Sequence, residues 1–379
     1  MNILYVLNSG KMGGMEKHAL NLVEGMMGKN QRVFVWCPEG DMSSIYLEKG
    51  ALVSNKKIRH DLDLSYIWEL SKFIRKNHID VLHSHELKAV FHSLIAGFLS
   101  GVKVRISHIH TPISTWKINK IKRYVDVEIY TLLVNLLSSK EIALTKSVSE
   151  RKQHEGIKKE KIVVIPNAVD TSGLALSYSE RMAFREEIRK RYLIPQADLV
   201  FGCVGRLTEE KGHDVLIKAF KDFLDPELFH KNSFYLIIAG GGKLEPKLRD
   251  LAKELSIEDK VIITGVFSDK DKIKFYSSFN VFVFPSYTEG FGISLIEAMY
   301  LNIPAICSNL EVLKEVGGDT TRYFNTGSPT DLAEKMTRMY EDILSNKDLG
   351  LDKARLKVES EYTMDGFVSS YLALYQSLL

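Results

Sequence analysis

Two glutamates, Glu289 and Glu297, are separated by seven residues and stand on either side of the tripeptide Gly290-Phe291-Gly292. The apolar run before them predicts a buried strand, and the apolar run after the tripeptide predicts a helix. Glycines let a backbone approach a ligand closely, and free amides at a helix N-terminus suit phosphate or sugar oxygens. A carboxylate inside an apolar helix is unusual for a solvated residue. We therefore expect the two acids to span one ligand larger than a single sugar, with an ordinary turn and a solvated glutamate as the alternative.

A basic pair, Arg206 and Lys211, occupies the loop that follows the apolar run Leu199–Val204. Arginine offers a planar fork of N–H donors and lysine a point charge, and this combination suits a diphosphate. The sequence does not match the GxxxxGK[ST] pattern of a Walker A loop. Basic residues are ordinary in surface loops, but a position between a buried strand and a helix favours anion binding here.

A third loop, which contains Gly13 and Gly14, follows the first predicted strand. Its glycines are placed for close contact between backbone and ligand. The loop lacks GxGxxG, so it does not carry a dinucleotide-binding fingerprint. A plain strand-to-helix turn is the alternative interpretation.

Histidines are concentrated in the first half, and two triplets, His83-Ser84-His85 and His108-Ile109-His110, each end a predicted strand. An HxH triplet on a strand puts both rings on one face, as some zinc sites require. Apart from Glu86, the sequence near these triplets offers no Asp, Glu or Cys at ligand spacing, so no metal is expected. We predict instead that one of these histidines contacts a bound sugar. Structural histidines are the alternative for His83 and His108.

Short apolar strands alternate with amphipathic helices, and strands that are apolar on both faces imply parallel sheets covered by helices on both sides. The alternation restarts near residue 170. The sequence therefore predicts an α/β protein of two Rossmann-like, doubly wound domains whose strand-to-helix loops face a cleft. The predicted strands are Ile3–Leu7, Arg32–Trp36, Val81–His83, Val104–Ser107, Ile142–Leu144, Ile162–Ile165, Leu199–Val204, Tyr235–Ala239, Val261–Thr264, Val281–Phe284 and Ala305–Cys307.

Composition indicates a folded, soluble protein, because 45% of the residues are hydrophobic and 26% are charged. The sequence has no apolar run of the ~18 residues that a spanning helix needs. The first residues, Met1–Leu7, lack a basic region and predict a strand rather than a signal peptide. Three cysteines, Cys37, Cys203 and Cys307, form no CxxC pair. We expect buried, reduced thiols in a cytoplasmic protein.

Charge is unevenly distributed, with a net charge of +8 over residues 1–170 and −5 over the remainder. A basic half favours contact with an anionic surface or ligand, although scattered solvated lysines give the same count. The segment Trp116–Tyr124 interleaves basic and apolar residues and leads into the apolar stretch Ile129–Leu137. This pattern is typical of an anionic membrane interface, and a surface helix that packs on its own core is the alternative. The sequence shows no pattern of a nucleic-acid binder.

Together these motifs resemble glycosyltransferase family 4, whose members have the two-domain GT-B fold. The resemblance runs over nearly the whole chain. Two segments depart from the family pattern: Ala168 stands where glycine is usual, and Gly240-Gly241-Gly242-Lys243 replaces a common Gly-Asp/Glu-Gly form. The resemblance rests on Gly13-Gly14-Met15-Glu16, His110-Thr111, Ile165-Pro166-Asn167-Ala168-Val169-Asp170, Gly205-Arg206-Leu207 with Lys211-Gly212, Thr264-Gly265 and the stretch from Glu289 to Glu297.

The resemblance implies a retaining, metal-independent transfer of a hexose-type sugar from a nucleotide diphosphate sugar, with UDP as the expected nucleotide. Glu297 would bind the ribose, and Arg206 and Lys211 would neutralise the diphosphate. Contacts to the donor sugar would come from Glu289 and the amides of Gly290, Phe291 and Gly292. In the first half, Gly13 and Gly14 would lie beside the diphosphate and His110 near the anomeric carbon.

The resemblance also assigns the domains. Residues 1–168, completed by a final helix at about 365–379, would bind the acceptor, and residues 169–364 would bind the nucleotide sugar. We expect a glycan or polyprenyl-linked acceptor in surface polysaccharide or glycoconjugate synthesis, and a cytoplasmic enzyme at the inner face of the cell membrane with peripheral contact to anionic lipid. The alternatives are a nucleotide-sugar 2-epimerase of the same architecture and a non-catalytic nucleotide-sugar-binding partner.

Overall fold

The computed structural model describes residues 1–224 and 234–379. Two compact units divide the chain. The N-terminal domain contains Met1–Ala168 and Met364–Leu379, and the C-terminal domain contains Val169–Thr363. Each domain is built on one parallel sheet.

The N-terminal domain has a seven-stranded sheet in the order β3-β2-β1-β4-β5-β6-β7. One face of this sheet packs on α1, α2 and the last helix of the chain, and the other packs on α3 and α4. The strands are β1 (Asn2–Val6), β2 (Arg32–Cys37), β3 (Leu52–Asn55), β4 (Val81–His85), β5 (Val104–His108), β6 (Lys140–Ala143) and β7 (Ile162–Val164). The helices are α1 (Gly14–Gly28), α2 (Asp41–Glu48), α3 (Leu64–Lys76), α4 (Leu87–Leu99), α5 (Lys120–Leu137), α6 (Lys146–His154) and α15 (Met364–Leu378).

The C-terminal domain has six described strands in the order β10-β9-β8-β11-β12-β13. Its central strands β8 and β11 are buried over their whole length. The strands are β8 (Leu199–Val204), β9 (Phe234–Ala239), β10 (Val261–Ile263), β11 (Val281–Phe284), β12 (Ala305–Ser308) and β13 (Arg322–Phe324). The helices are α7 (Tyr178–Arg191), α8 (His213–Phe223), α9 (Glu245–Glu254), α10 (Asp269–Ser278), α11 (Ile293–Tyr300), α12 (Glu311–Gly317), α13 (Pro329–Leu344) and α14 (Leu351–Glu361).

The predicted pair of doubly wound parallel sheets is confirmed, and the differences are local. Strands β3 and β13 were not predicted. β4 runs two residues beyond its predicted end, so it includes His85. The basic and apolar segments around residues 116–137 form one helix, α5, from Lys120 onward. The final helix spans Met364–Leu378, close to the expected bounds of about 365–379.

Both sheets reverse their strand order in the way that creates a ligand crevice. In the first sheet β1 lies between β2 and β4: the chain continues from β1 to β2 and β3 on one side, and then crosses to β4 on the other side. In the second sheet β8 lies between β9 and β11 in the same way. In such sheets ligands bind beyond the carboxyl ends of the strands at this reversal. The loops at these positions contain Gly13 and Gly14 after β1, Arg206 and Lys211 after β8, and Glu289 after β11.

Candidate functional site

The loops that follow β8 and β11 are in direct contact. The backbone N–H of Tyr287 donates to the carbonyl oxygen of Glu210 at 2.8 Å. Gly212 adopts φ +64°, and a Cβ atom there would lie 2.2 Å from the carbonyl oxygen of Pro285. A side chain at this position would force the loops apart, so glycine is required for their approach.

This contact brings Lys211 to Glu289 across 78 residues of sequence. The Lys211 Nζ lies 2.5 Å from Glu289 Oε1, and Ser286 Oγ donates to the same oxygen at 2.7 Å. Both charged side chains are largely buried. Charge-assisted hydrogen bonds of this kind fix the orientation of both groups. The structure therefore joins two residues that the sequence predicted to bind different parts of one ligand.

Arg206 is held much less firmly. Its side chain is 67% exposed, and its guanidinium lies 3.9 Å from Glu210. Glu210 itself accepts a hydrogen bond from Thr208 Oγ1 at 2.6 Å. An exposed ion pair contributes only about 0–1 kcal/mol. The N–H donors of Arg206 thus remain accessible to an anion beside the Lys211–Glu289 pair.

Glu297 is buried on α11 and is not a solvated helix residue. Its carboxylate pairs with the ammonium of Lys272 from α10, and the Tyr276 hydroxyl lies 2.9 Å from Glu297 Oε2. Burial, followed by the charge of Glu297, raises the pKa of Tyr276 well above its ordinary value, so the hydroxyl stays protonated and donates. Neither partner could be predicted from the local sequence, because each lies more than 20 residues before Glu297.

The tripeptide before α11 is fixed by packing. Gly292 caps the helix at φ +103°, and a Cβ atom there would lie 2.8 Å from the Leu313 side chain. Phe291 is buried, with its ring edge-on to Tyr362 at a centroid distance of 5.3 Å. The backbone amides next to Glu289 are therefore held at the start of a helix, where unpaired N–H groups favour oxygen anions.

The glycine-rich segment after β9 contacts the same region. The Leu207 N–H donates to the carbonyl oxygen of Gly241 at 3.0 Å. A Cβ atom on Gly240 would lie 1.8 Å from the carbonyl oxygen of Gly205. Backbone crowding therefore explains the glycine at position 240. At this edge of the sheet the segment can contact a ligand through main-chain groups, and it has no acidic side chain there.

In the N-terminal domain, Gly13 and Gly14 begin α1. A Cβ atom on Gly13 would lie 2.5 Å from Glu16 Oε2, the end of a flexible side chain that can move aside, so packing alone does not require that glycine. A Cβ atom on Gly14 would meet no atom of the described residues within 4 Å. Since the protein's own packing leaves that space open, the start of α1 is accessible to a ligand.

Both HxH triplets place their rings in one buried stack. The His83 and His85 rings lie 4.4 Å apart and those of His108 and His110 lie 4.0 Å apart, while His18 of α1 stands edge-on to His108 and His110 at 4.8 Å. Burial lowers the pKa of His18 to about 4 and the pKa of the other four well below 6.5. All five rings are therefore neutral at physiological pH. The sequence did not single out His18, because only the fold brings α1 to β4 and β5.

The alternative that a histidine has only a structural role fits His83 better than His108. The Nδ1 atom of His83 lies 2.6 Å from the hydroxyl of Tyr375 on α15. Among the residues that the structure describes, neither ring nitrogen of His108 has a hydrogen-bond partner. A histidine placed only for packing rarely leaves both nitrogens unsatisfied.

A buried lysine fixes the backbone between His108 and His110. The Lys152 ammonium donates to the carbonyl oxygens of Ile109 at 2.8 Å and Ile142 at 2.6 Å, and it pairs with Glu141. The Tyr130 hydroxyl donates to the second oxygen of Glu141 at 2.8 Å. This network anchors the residue next to His110, and nothing in the local sequence distinguishes Lys152 from a surface lysine.

The predicted site residues are thus divided between the two domains, and within each domain the structure brings only some of them into contact. In the C-terminal domain the structure joins Lys211 to Glu289 and leaves Arg206 exposed nearby, while Glu297 has its own partners on α10. In the N-terminal domain His110 belongs to the histidine stack. The cysteines are buried and unpaired, as expected. No helix in the described parts of the chain is long and apolar enough to cross a membrane.

Comparison with known proteins gives a consistent picture. The model of Glycosyltransferase Family 4 matches residues 12–172, and the model of Glycosyl transferases group 1 matches residues 184–353. The O-antigen biosynthesis glycosyltransferase WclY of Escherichia coli is 24% identical over 351 residues, which cover 89% of this chain and 88% of that protein. The capsular polysaccharide biosynthesis glycosyltransferase CapM of Staphylococcus aureus is 22% identical, with 94% and 93% covered.

The fold is also that of a solved structure. The crystal structure of Anabaena Alr3699/HepE in complex with UDP and glucose superposes with a TM-score of 0.86 at 18% identity, with all of both chains covered. The two sheets described above are thus those of a GT-B protein. With one glycosyltransferase model matched to each half of its length, and relatives that align along most of it, the chain belongs to glycosyltransferase family 4.

Proposed function

We propose that this protein is a retaining glycosyltransferase that moves a hexose-type sugar from a UDP-sugar to a glycan or lipid-linked acceptor in surface polysaccharide synthesis. The observation that carries the proposal is the Lys211–Glu289 pair at the strand-order reversal of the C-terminal sheet. Named functions of the relatives in O-antigen and capsule synthesis support the acceptor class, and the UDP in the HepE structure supports the nucleotide.

Each part of the donor has a partner of suitable chemistry in the C-terminal domain. Glu297 is a buried carboxylate held in place by Lys272 and Tyr276, and it would accept hydrogen bonds from the ribose hydroxyls. Arg206 and Lys211 would bind the diphosphate. The donor sugar would be held by Glu289 and by the amides of Gly290, Phe291 and Gly292 at the start of α11.

The N-terminal domain would contribute Gly14 with Gly13 and His110. The open space at Gly14 suits a diphosphate oxygen, because the first N–H groups of a helix have no acceptor within the helix. His110 is neutral and half-buried, so it can donate to or accept from a sugar hydroxyl without adding charge near the anomeric carbon.

Transfer breaks the bond between the anomeric carbon and the leaving diphosphate oxygen while the acceptor oxygen bonds to the same carbon on the same face. The acceptor's proton passes to an oxygen of the leaving diphosphate. Negative charge grows on that diphosphate in the transition state, and fixed cations that meet the charge there lower the barrier most. Because Arg206, Lys211 and helix-end amides supply positive charge, we propose that no divalent metal is needed at the diphosphate.

Arg206→Ala tests this assignment with little disturbance of the fold. We expect transfer of sugar from the donor, measured as kcat/KM, to fall about 100-fold or more, because one donor to the developing charge is lost. Since the side chain is mostly exposed, the free energy of unfolding should change by no more than about 0.5 kcal/mol. The assay measures sugar transferred to acceptor and, in parallel, epimerised or hydrolysed donor.

The matched control is Arg249→Ala, which removes another arginine of the same domain whose partner is Glu245. Its activity should remain within a few-fold of the wild type. Equal turnover by the two variants would contradict the proposal. Epimerised donor without acceptor would identify a 2-epimerase, and a chain that binds UDP but turns over no donor would be a non-catalytic partner.

A face of α5 is apolar and exposed. Ile121, Val125, Ile129, Leu132 and Leu136 recur at intervals of three or four residues along its outer side. This spacing places them on one stripe of the helix. The inner side of the same helix packs on the core through Tyr130 and Val134. A helix that is apolar on both sides needs a second apolar partner.

The surroundings of this stripe favour a lipid surface. Basic residues Lys117, Lys120 and Lys122 stand at its N-terminal end, and lysine at such positions attracts anionic headgroups. Beside it lies a groove of about 550 Å³ whose lining includes Leu87 and Phe91. We propose that α5 docks on anionic membrane at the cytoplasmic face, where the groove would accept the hydrocarbon part of a lipid-linked acceptor.

Replacing Ile121, Leu132 and Leu136 together with serine should weaken vesicle binding at least about 10-fold, since burying each such side chain contributes about 1.5–3 kcal/mol. Wild-type protein should sediment with vesicles that contain phosphatidylglycerol and should be released as salt increases. The control Leu356→Ser removes an exposed leucine of the C-terminal domain. Absence of wild-type binding at low salt would overturn the proposal, and a dimer that the triple variant dissociates would show that a second copy covers the stripe.

A further inference from the structure

Four histidines meet at the carboxyl edge of the N-terminal sheet. His18 comes from α1, His85 from the end of β4, His108 from the end of β5, and His110 from the residues just after β5. One ring nitrogen from each lies within 4.8 Å of one from every other member. We propose that these four side chains bind one divalent transition-metal ion of the zinc class, separately from the diphosphate chemistry.

The hydrogen bond of His18 leaves one of its ring nitrogens available to bind a metal. The Nδ1 atom of His18 lies 2.5 Å from the side-chain oxygen of Asn167. That oxygen can only accept, so Nδ1 carries the proton and the lone pair is on Nε2. Within the described chain His18 Nε2 is buried without a hydrogen-bond partner. A histidine ligand that donates its other N–H to an oxygen is the usual arrangement around a protein-bound metal.

The other buried rings also have nitrogens without a hydrogen-bond partner among the described residues. His85 Nδ1 lies 3.3 Å from His110 Nε2, and His85 Nε2 has no partner in the described parts of the chain. Both nitrogens of buried His108 are likewise unpartnered among described residues. Burying nitrogens without hydrogen-bond partners is energetically unfavourable, so such an arrangement is costly unless something binds there. Metal coordination would use one lone pair from each ring.

The donor set selects the class of metal. Neutral imidazoles suit zinc, copper, iron and nickel, whereas magnesium and calcium prefer oxygen ligands. Tetrahedral Zn–N bonds place neighbouring nitrogens about 3.3 Å apart. The nitrogens of the four rings lie up to 4.8 Å apart, so the more distant pairs would have to approach by up to about 1.5 Å when a metal binds.

The four-histidine group can be reached by an ion from the surface, and acidic residues lie near it in the sequence. His110 is the half-buried member, so the group reaches the surface at that residue. Glu16 and Glu86 lie within two residues of His18 and His85, and their carboxylates repel each other. Negative charge beside the ligands would offset the charge of the ion. Ligation through Nε2 of His110 would replace its 3.3 Å contact with His85 and would leave Nδ1 for the sugar contact proposed above.

The ion would connect three elements, α1, β4 and β5. It would therefore fix the start of α1, where Gly14 lies, relative to the loop that carries His110. This role is positional and does not depend on sugar transfer, so metal content and transfer can be tested apart.

The experiment measures metal bound to purified full-length protein, first stripped with a chelator and then titrated with Zn²⁺, with Mg²⁺ as the comparison ion. We expect about one Zn²⁺ per chain and no saturable Mg²⁺ binding. Reconstitution with Co²⁺ should give the visible absorption of a tetrahedral nitrogen site. Asn167→Ala, which removes only the second partner of His18, should weaken Zn²⁺ binding about 10–100-fold.

His108→Ala should lose the Zn²⁺ site, and His213→Gln is its matched control. His213 is also buried with both nitrogens unpartnered in the described structure, but it lies in the other domain and outside the four-histidine group. Its variant should bind Zn²⁺ as the wild type does. If His108→Ala does not fold, the wild-type titration, the Co²⁺ spectrum and Asn167→Ala still decide the question. Wild-type protein that binds no Zn²⁺ above background, or equal affinity in all variants, would overturn the proposal.

Discussion

Lys211→Ala should lower kcat/KM for sugar transfer by about 1,000-fold, the largest effect expected from a single substitution in this protein. Lys211 is fixed beside the proposed position of the donor diphosphate by a short charged contact, since its Nζ lies 2.5 Å from Glu289 Oε1. A fixed cation does not have to reorganise as charge develops on the leaving diphosphate. The measurement is initial-rate kinetics with purified donor and acceptor.

The same substitution also leaves the Glu289 carboxylate with Ser286 as its described partner, and it should reduce donor affinity as well as turnover. Lys211→Arg separates charge from position, because the arginine fork restores the charge with different geometry. We expect it to recover part of the lost rate. Lys218→Ala, on the exposed face of α8, is the control for loss of a lysine in the same region. Turnover near normal in Lys211→Ala would remove the assigned role of this residue.

The central strands were predicted well because a strand that is buried on both faces appears in the sequence as a run of consecutive apolar residues. β8 and β11 have the predicted bounds, since each is a run of apolar side chains buried on both faces. β3 and β13 were missed for the opposite reason. Each lies at or near a sheet edge, is three or four residues long and includes exposed or half-exposed side chains, so its apolar pattern is weak.

The same distinction applies to the site. Glu289 and Glu297 were found because their spacing and glycine-rich setting are local features of one segment. Lys272, Tyr276 and His18 were not assigned a role, because each contacts its partners through the tertiary fold. The expectation of no metal rested on the Asp, Glu and Cys residues near each HxH triplet. It could not take account of His18, which the fold brings to the triplets from α1.

Glu297→Ala should remove most of the thermal stabilisation by UDP. A carboxylate that accepts hydrogen bonds from ribose hydroxyls contributes about 1.5–3 kcal/mol for each charged hydrogen bond, so two such bonds would give a loss in affinity of at least about 100-fold. At a UDP concentration 100 times the wild-type Kd, stabilisation is about 2.7 kcal/mol, and it would fall to about 0.4 kcal/mol. A thermal-shift titration with UDP, GDP and ADP measures this directly and also tests the preference for uridine.

Loss of the ion pair with Lys272 also lowers the stability of the unliganded protein, so the melting temperature alone does not decide the role of Glu297. Tyr276→Phe disturbs the same contact, by removing the hydroxyl 2.9 Å from Glu297 Oε2, but it keeps the carboxylate. It should therefore keep most of the UDP-induced shift. Glu289→Gln should keep the shift with UDP and lose the additional shift given by the attached sugar. If Glu297→Ala responds to UDP as the wild type does, the carboxylate serves only to bind Lys272 and Tyr276, and the ribose must be held elsewhere.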